Sequence, residues 1–223
     1  MKHTDLRLTG VKKTLPGFHL EADFELRAGE RAALVGRSGS GKTTLLRMIA
    51  GLDRVDAGGI FLGSEDLTGL APEKRKLGVV FQDQALFPSL SLLDNASFGL
   101  MMRGVSREER EAIVRPWLNR VDLLRQIDSP VDRLSGGERQ RVAFVRAWVW
   151  NPRAILLDEP FSALDTALRQ SLRRQLIDLH AVWPVPLLLV THDEEDSLQV
   201  ATTRIVLRED SEANLRVFSR ESR

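Results

Sequence analysis

Ala32-Ala33-Leu34-Val35-Gly36-Arg37-Ser38-Gly39-Ser40-Gly41-Lys42-Thr43 joins an apolar tetrad to a glycine-rich octapeptide, and Leu45, Leu46, Met48 and Ile49 then recur at helical spacing. The order is strand, loop, helix. The octapeptide 36–43 matches G-x-x-x-x-G-K-[ST], whose glycines let backbone N–H groups turn inward while the new helix adds its positive dipole end, so a phosphate chain is favoured there. Lys42 can reach the terminal phosphates of a nucleotide and Thr43 can offer its hydroxyl to Mg²⁺. The expected cradle comprises Gly36, Arg37, Ser38, Gly39, Ser40, Gly41, Lys42, Thr43 and Thr44. Kinases, GTPases and ATP-driven motors share this loop, so the rest of the chain must choose among them.

Composition narrows the field. At 223 residues the chain suits one large domain or a core with a subdomain. Its 43% hydrophobic and 28% charged residues are ordinary for a globular protein. With 32 Lys plus Arg against 31 Asp plus Glu the formal charge is +1, and this balance argues against a nucleic-acid partner, which usually calls for a basic excess. No Cys is present, which excludes disulfides and thiolate metal sites. No stretch approaches the roughly 20 apolar residues that span a bilayer. The start, Met1-Lys2-His3-Thr4-Asp5, lacks the apolar core of a secretory signal, and the roughly thirty residues after His192 are expected to hold no further regulatory domain.

Alternation through Leu6-Arg7-Leu8 and Leu20-Glu21-Ala22-Asp23-Phe24-Glu25-Leu26 predicts half-buried antiparallel strands forming a small flanking sheet. Apolar runs at 32–35, 78–81, 154–157, 187–190 and 205–207 predict buried strands of a mainly parallel sheet, with helical stretches such as 167–182 between them. A nucleotide would lie at the carboxyl ends of such strands. Between Gln84 and Leu134 the pattern is helical, with Glu108, Glu109, Arg110 and Glu111 beside Ile113, Val114, Trp117 and Leu118. The expected fold is therefore α/β: a nucleotide-binding core over 1–83 and 135–223 with an N-terminal antiparallel β subdomain, and an inserted helical subdomain over 84–134.

Five further segments carry chemistry. Asp158 closes a strand, where a buried carboxylate needs a partner or a metal; Glu159 alternates to the other side, where it can act as a general base. An Asp-Glu before Pro160 is equally a common loop start. Ser135-Gly136-Gly137-Glu138 reads as a capping box whose exposed N–H groups can also grip an anion. His192 follows one apolar strand and Gln82 another; alone, each could be a plain strand-end residue. Asp165 could simply be a helix N-terminal carboxylate.

Taken in order, the loop at 36–43, Gln82, Leu134-Ser135-Gly136-Gly137-Glu138-Arg139-Gln140, Ala154-Ile155-Leu156-Leu157-Asp158-Glu159-Pro160, Ser162-Ala163-Leu164-Asp165 and Thr191-His192-Asp193 resemble the ATP-binding cassette (ABC) ATPases. The resemblance covers essentially the whole chain. It implies a P-loop NTPase core of the RecA-like kind, ATP and Mg²⁺ as ligands, and Thr43, Gln82 and Asp158 around the metal. It also implies Lys42, Glu159 and His192 as catalytic groups, with Ser135, Gly136, Gly137 and Asp165 acting across a homodimer or paired cassette that forms with ATP. Separate integral-membrane transporter subunits, a substrate-binding protein in the case of an importer, and a place on the cytoplasmic face of the cell membrane follow. The stretch 85–95 is similar to that of bacterial small-solute importer ATPases. The alternatives are a cassette ATPase of nucleic-acid repair or translation, disfavoured by the lack of an inserted coiled coil or a second cassette, and a P-loop kinase, disfavoured by Ser135 to Glu138. One departure concerns the base: this family usually offers an aromatic residue after the first strand, yet the chain has no Tyr and reads Val11-Lys12-Lys13-Thr14-Leu15-Pro16-Gly17-Phe18 there. Phe18 could shift into that role, Lys13 could lie over the ring, or Phe18 could pack in the core.

Overall fold

The computed structural model describes residues 4–162, 164–210 and 215–221, with backbone alone at 209 and 210. Met1, Lys2 and His3 of the N-terminal stretch, and Ala163 of the motif at 162–165, lie outside the described residues. In chain order the elements are β1 (Leu6–Leu15), β2 (Phe18–Leu26), β3 (Arg31–Val35), α1 (Lys42–Ala50), β4 (Ala57–Leu62), β5 (Glu65–Asp66), α2 (Pro72–Arg75) and β6 (Leu77–Val80). There follow α3 (Leu92–Ala96), α4 (Phe98–Met101), α5 (Arg107–Arg120), α6 (Gly136–Trp148), β7 (Ala154–Asp158), α7 (Thr166–Val182), β8 (Leu187–Thr191), α8 (Glu194–Val200), β9 (Thr203–Asp210) and β10 (Leu215–Arg220). Two compact units divide the chain: Met1–Leu77 with Arg153–Glu159 and Pro184–Arg223, and Gly78–Pro152 with Pro160–Trp183.

In the first unit the strands run in the order β5-β4-β1-β2-β10-β9-β3-β8-β7. The β3/β8, β3/β9 and β7/β8 pairs are parallel, and β1/β2, β1/β4 and β4/β5 are antiparallel. The expected small flanking sheet is thus not separate. β10 pairs parallel to β2 and antiparallel to β9, so the antiparallel strands and the parallel core share one mixed sheet. The periodicity explains which face each strand buries: Leu6, Leu8, Leu20, Ala22, Phe24 and Leu26 are inside while Arg7, His19, Asp23 and Glu25 are exposed. β7 and β8 are buried along their whole length, as strands covered on both faces must be. Leu45, Leu46, Met48 and Ile49 of α1 are fully buried, each contributing about 1.5–3 kcal/mol of transfer free energy, which fixes the helix that begins at Lys42. At its far end the buried Arg75 guanidinium donates to Met48 O (2.7 Å) and Ile49 O (2.8 Å), a cation on the carbonyls that a helix terminus leaves open.

The second unit is mainly helical. Here α6 packs against α3 and α5, and α7 against α5 and α6. Val142, Phe144, Val145 and Trp148 of α6 and Leu172, Leu176 and Leu179 of α7 supply its interior, with the Phe144 ring edge-on to Trp148 and Phe161. Ser106 and Glu109 form a capping box at the start of α5, a start signal that sequence reading passed over. Among the described residues no helix is long and apolar enough to cross a membrane.

Candidate nucleotide site

The octapeptide forms a turn between β3 and α1, as its residue types dictate. Gly41 is the N-cap of α1 at φ 96°, and a Cβ there would lie 2.7 Å from Leu20 Cδ1 and 3.3 Å from the Phe18 ring, so only glycine fits. Gly39 also has positive φ, 73°, and opens onto free space. Lys42 is buried and its ammonium donates to Gly36 O (2.7 Å) and Arg37 O (2.9 Å). Burial holds that ammonium below its ordinary value, with the Glu159 and Asp158 carboxylates opposing the shift. The Ser40 hydroxyl is buried in the loop and finds no hydrogen-bond partner among the described residues.

The ends of two strands, β7 and β8, come together beside this loop within the first unit. Thr43 Oγ1 donates to Asp158 Oδ1 at 3.1 Å, joining the loop to the end of β7. Burial raises the Asp158 carboxyl; the Thr43 bond and Lys42 lower it, and the neighbouring Glu159 charge raises it further. Glu159 sits just past β7 at φ 47°, a left-handed conformation that costs a non-glycine residue about 1–2 kcal/mol, with its N–H held by Val190 O. That conformation aims its carboxylate at His192: Nδ1 donates to Glu159 Oε2 at 2.9 Å, while the imidazole remains largely exposed. Sequence reading placed both residues near the site without foreseeing this bond. The acidic run after His192 is structural: Asp193 caps α8 through Glu195 N and Asp196 N, and the buried Asp196 accepts from Thr191 Oγ1.

The second unit holds the other sequence-predicted residues. Ser135 is the N-cap of α6, with Glu138 N donating to Ser135 Oγ (3.3 Å) and Ser135 N to Glu138 Oε2 (2.8 Å), so the capping box is formed. A hydrogen bond donated by the Gln126 side-chain amide holds the Glu138 carboxyl below its ordinary range, with the Ser135 N–H and hydroxyl adding to the effect. A Cβ on Gly137 would meet Leu168 of α7 at 2.7 Å, whereas one on Gly136 would meet nothing within 4 Å; Gly137 serves packing and Gly136 leaves the helix start open. Gln82 Nε2 donates to Ser162 Oγ at 3.4 Å. Asp165 is the N-cap of α7, accepting from Leu168 N at 2.9 Å.

Beyond Gln82 the chain is strained. Gln84 and Ala85 are consecutive left-handed residues, φ 59° and 44°, and the Arg146 guanidinium of α6 donates to both of their carbonyls, at 2.5 and 2.6 Å. The same guanidinium lies 5.8 Å from the centre of the Phe87 ring, which stacks on Phe98 at 4.3 Å. Burial lowers Arg146 below its ordinary value, against the pull of Asp83. Sequence reading missed Arg146, because nothing in a helical Arg announces which carbonyls it will hold. Of the large apolar residues in the stretch 85–95, Phe87 is exposed and Leu86 and Leu90 are half-buried, but Leu92 and Leu93 are fully buried in α3. That helix begins at its Ser91 cap and turns both leucines into the unit's interior.

Residues 20–162 match the family model described as ABC transporter. The chain is 44% identical over 204 residues to the sulfate/thiosulfate import ATP-binding protein CysA of Nephroselmis olivacea, covering 91% of this chain and 60% of that protein. It is 40% identical over 210 residues to the spermidine/putrescine import ATP-binding protein PotA of Aliivibrio fischeri, covering 93% and 56%. With the Fe(3+) ions import ATP-binding protein FbpC of Pasteurella multocida the identity is 43% over 185 residues, 83% and 53%. The chain spans about 60% or less of the length of these curated relatives. Among solved structures, the dimeric bacterial ABC transporter cassette MJ0796 superposes with a TM-score of 0.77 at 29% identity, covering 90% of this chain and 93% of that one. The glycine-rich loop, the Asp-Glu strand end bonded to Thr43 and His192, and the Ser-Gly-Gly helix start thus stand in a chain that belongs to the ABC transporter family.

Proposed function

We propose that this chain is the ATP-hydrolysing subunit of an ABC importer for a small solute, working as a dimer on the cytoplasmic face of a membrane. The observation that carries the reading is the convergence of Lys42, Thr43, Asp158, Glu159 and His192 on one loop. Relatives named for import of sulfate, spermidine and ferric ions support the importer class without choosing a cargo.

The residues fit ATP with Mg²⁺. A buried lysine drawn down by desolvation gains from a phosphate chain, and the orphan Ser40 hydroxyl gains an acceptor. Mg²⁺ commonly takes one or two carboxylates and completes its shell with phosphates and water. Thr43 and Asp158 would hold it, and it would supply charge neutralisation at the β- and γ-phosphates. Glu159 is the general base, taking a proton from the attacking water, and His192 is oriented by it toward the γ-phosphate. Backbone N–H groups from 36 to 44 bind the phosphates. Ser135, Gly136 and Gly137 complete the site of a second copy, with Asp165 passing the state of one site to the other. The helical region 84–134, starting just past Gln82, carries the response to membrane subunits, a substrate-binding protein serves them outside, and no nucleic acid takes part.

Glu159→Gln tests this reading. It keeps the phosphate loop and is expected to bind ATP with near-normal affinity, lose about 10²-fold or more in turnover, and accumulate as an ATP-bound dimer. Near-normal turnover would remove Glu159 from the role. Copurification of the native protein with an integral-membrane partner is the matching test of the transport assignment, and RNA or DNA in its place would overturn it.

A further inference from the structure

Within the first unit, the end of β1 and the start of β2 bring no tyrosine or tryptophan to the phosphate loop, and of the two candidates there, Lys13 is committed elsewhere. Its ammonium is 2.8 Å from Asp56 Oδ1, and the other oxygen of that carboxylate accepts from Thr14 N. Phe18 is different. It is half-buried, and its ring edge lies where a side chain on Gly41 would have to go. The ring is not bare: the Arg216 guanidinium carbon sits 3.8 Å from its centroid, and Arg216 Nη1 donates to Gly39 O at 2.7 Å. Arg216 reaches this position because β10 pairs parallel with β2, placing it opposite Leu20.

We propose that the Arg216 guanidinium, layered on Phe18 and tied to Gly39, is the platform on which this chain stacks the purine of its nucleotide. A guanidinium is a planar, delocalised cation with two faces, and bases stack on such planes as they do on aromatic rings. One face of Arg216 is against Phe18, and its edge is fixed by the loop carbonyl, so the plane is held still beside the turn that binds phosphate. A stacked base is sensed by its π-face and not by its edge groups, so this platform favours purines without separating adenine strongly from guanine. The inference rests on the nucleotide reading given above, and deepens it by naming the residue that receives the base.

Direct binding by calorimetry tests it, with Mg²⁺-ADP and Mg²⁺-pyrophosphate as paired probes. Pyrophosphate reports the phosphate loop alone; ADP reports the loop and the base together. Arg216→Ala is expected to weaken ADP about tenfold, in line with the loss of one stacking contact, and to change pyrophosphate by less than about twofold. Arg216→Lys keeps the charge and loses the plane, so it is expected to behave like Arg216→Ala, and Phe18→Leu to show a smaller loss confined to ADP. Equal weakening of both probes would show that Arg216 merely holds Gly39 in place, and rescue by Lys would reduce its role to charge; either overturns the proposal. Unchanged ADP binding in Arg216→Ala does so too. If the wild-type chain binds neither probe, the nucleotide reading itself falls and takes this one with it.

Discussion

Replacing Arg146 by Ala removes two hydrogen bonds from a charged donor to the carbonyls of Gln84 and Ala85, together with a cation placed over the Phe87 ring. Charge-assisted bonds are worth about 1.5–3 kcal/mol each, and the lower figure applies because one of the two carbonyls is at an exposed site. The cation adds about 0.5–1 kcal/mol. A destabilisation of about 3.5–4 kcal/mol follows, which in a chain of this length lowers the melting temperature by about 10 °C. The bonds have a second consequence, for they hold Gln84 and Ala85 in the left-handed region. Ala85→Gly removes the steric part of that strain, about 1–2 kcal/mol, against an entropy cost of about 0.5–1 kcal/mol, so it should stabilise the wild type modestly. In the Arg146→Ala background the turn is free to relax and the glycine should give no gain. Urea unfolding of the two single variants and the double variant measures this coupling directly. Additive effects, or an Arg146→Ala change within about 0.5 kcal/mol of wild type, would refute the view of Arg146 as the clamp on a strained turn.

Asp158 provides a prediction with a definite sign. Its carboxyl is raised in the fold by burial, so the folded chain binds more protons than the unfolded one and stability falls as pH rises from the ordinary value of 3.8 through the raised one. Asp158→Asn should therefore melt higher than wild type at neutral pH without nucleotide, with the gap closing toward acid, while losing Mg²⁺-dependent turnover; a lower melting temperature at neutral pH would contradict the desolvation argument. Ser135→Arg should block hydrolysis with ATP binding by the monomer intact, and mixing it with Lys42→Ala should restore part of the activity through one unlesioned composite site; turnover per chain that is independent of concentration to the nanomolar range would exclude such sites. Phe87→Asp acts on an exposed ring, so the isolated subunit should stay folded and active while membrane association is lost; a collapse of its melting temperature would instead assign Phe87 to packing.

A contiguous segment reveals whatever its own chemistry dictates. The turn at 36–43 could be read because glycines at fixed offsets between an apolar strand and an amphipathic helix leave the backbone few alternatives, and the capping box at Ser135 because its partner is three residues away. β7 and β8 were legible as unbroken apolar runs, and so was the placing of Asp158 at a strand end. Tertiary structure alone decided the pairings between distant segments. His192 meets Glu159 across two adjacent parallel strands, Arg146 finds carbonyls some sixty positions earlier, and Arg216 reaches Phe18 because β10 lies beside β2 and carries the antiparallel strands into the core sheet. Leu92 and Leu93 show the limit from the other side: their apolar character was plain, but which face they turn inward was set by where Ser91 starts a helix. A side chain's type is fixed locally, whereas the partner of a long polar or apolar side chain depends on which elements the sheet order and helix packing bring alongside it.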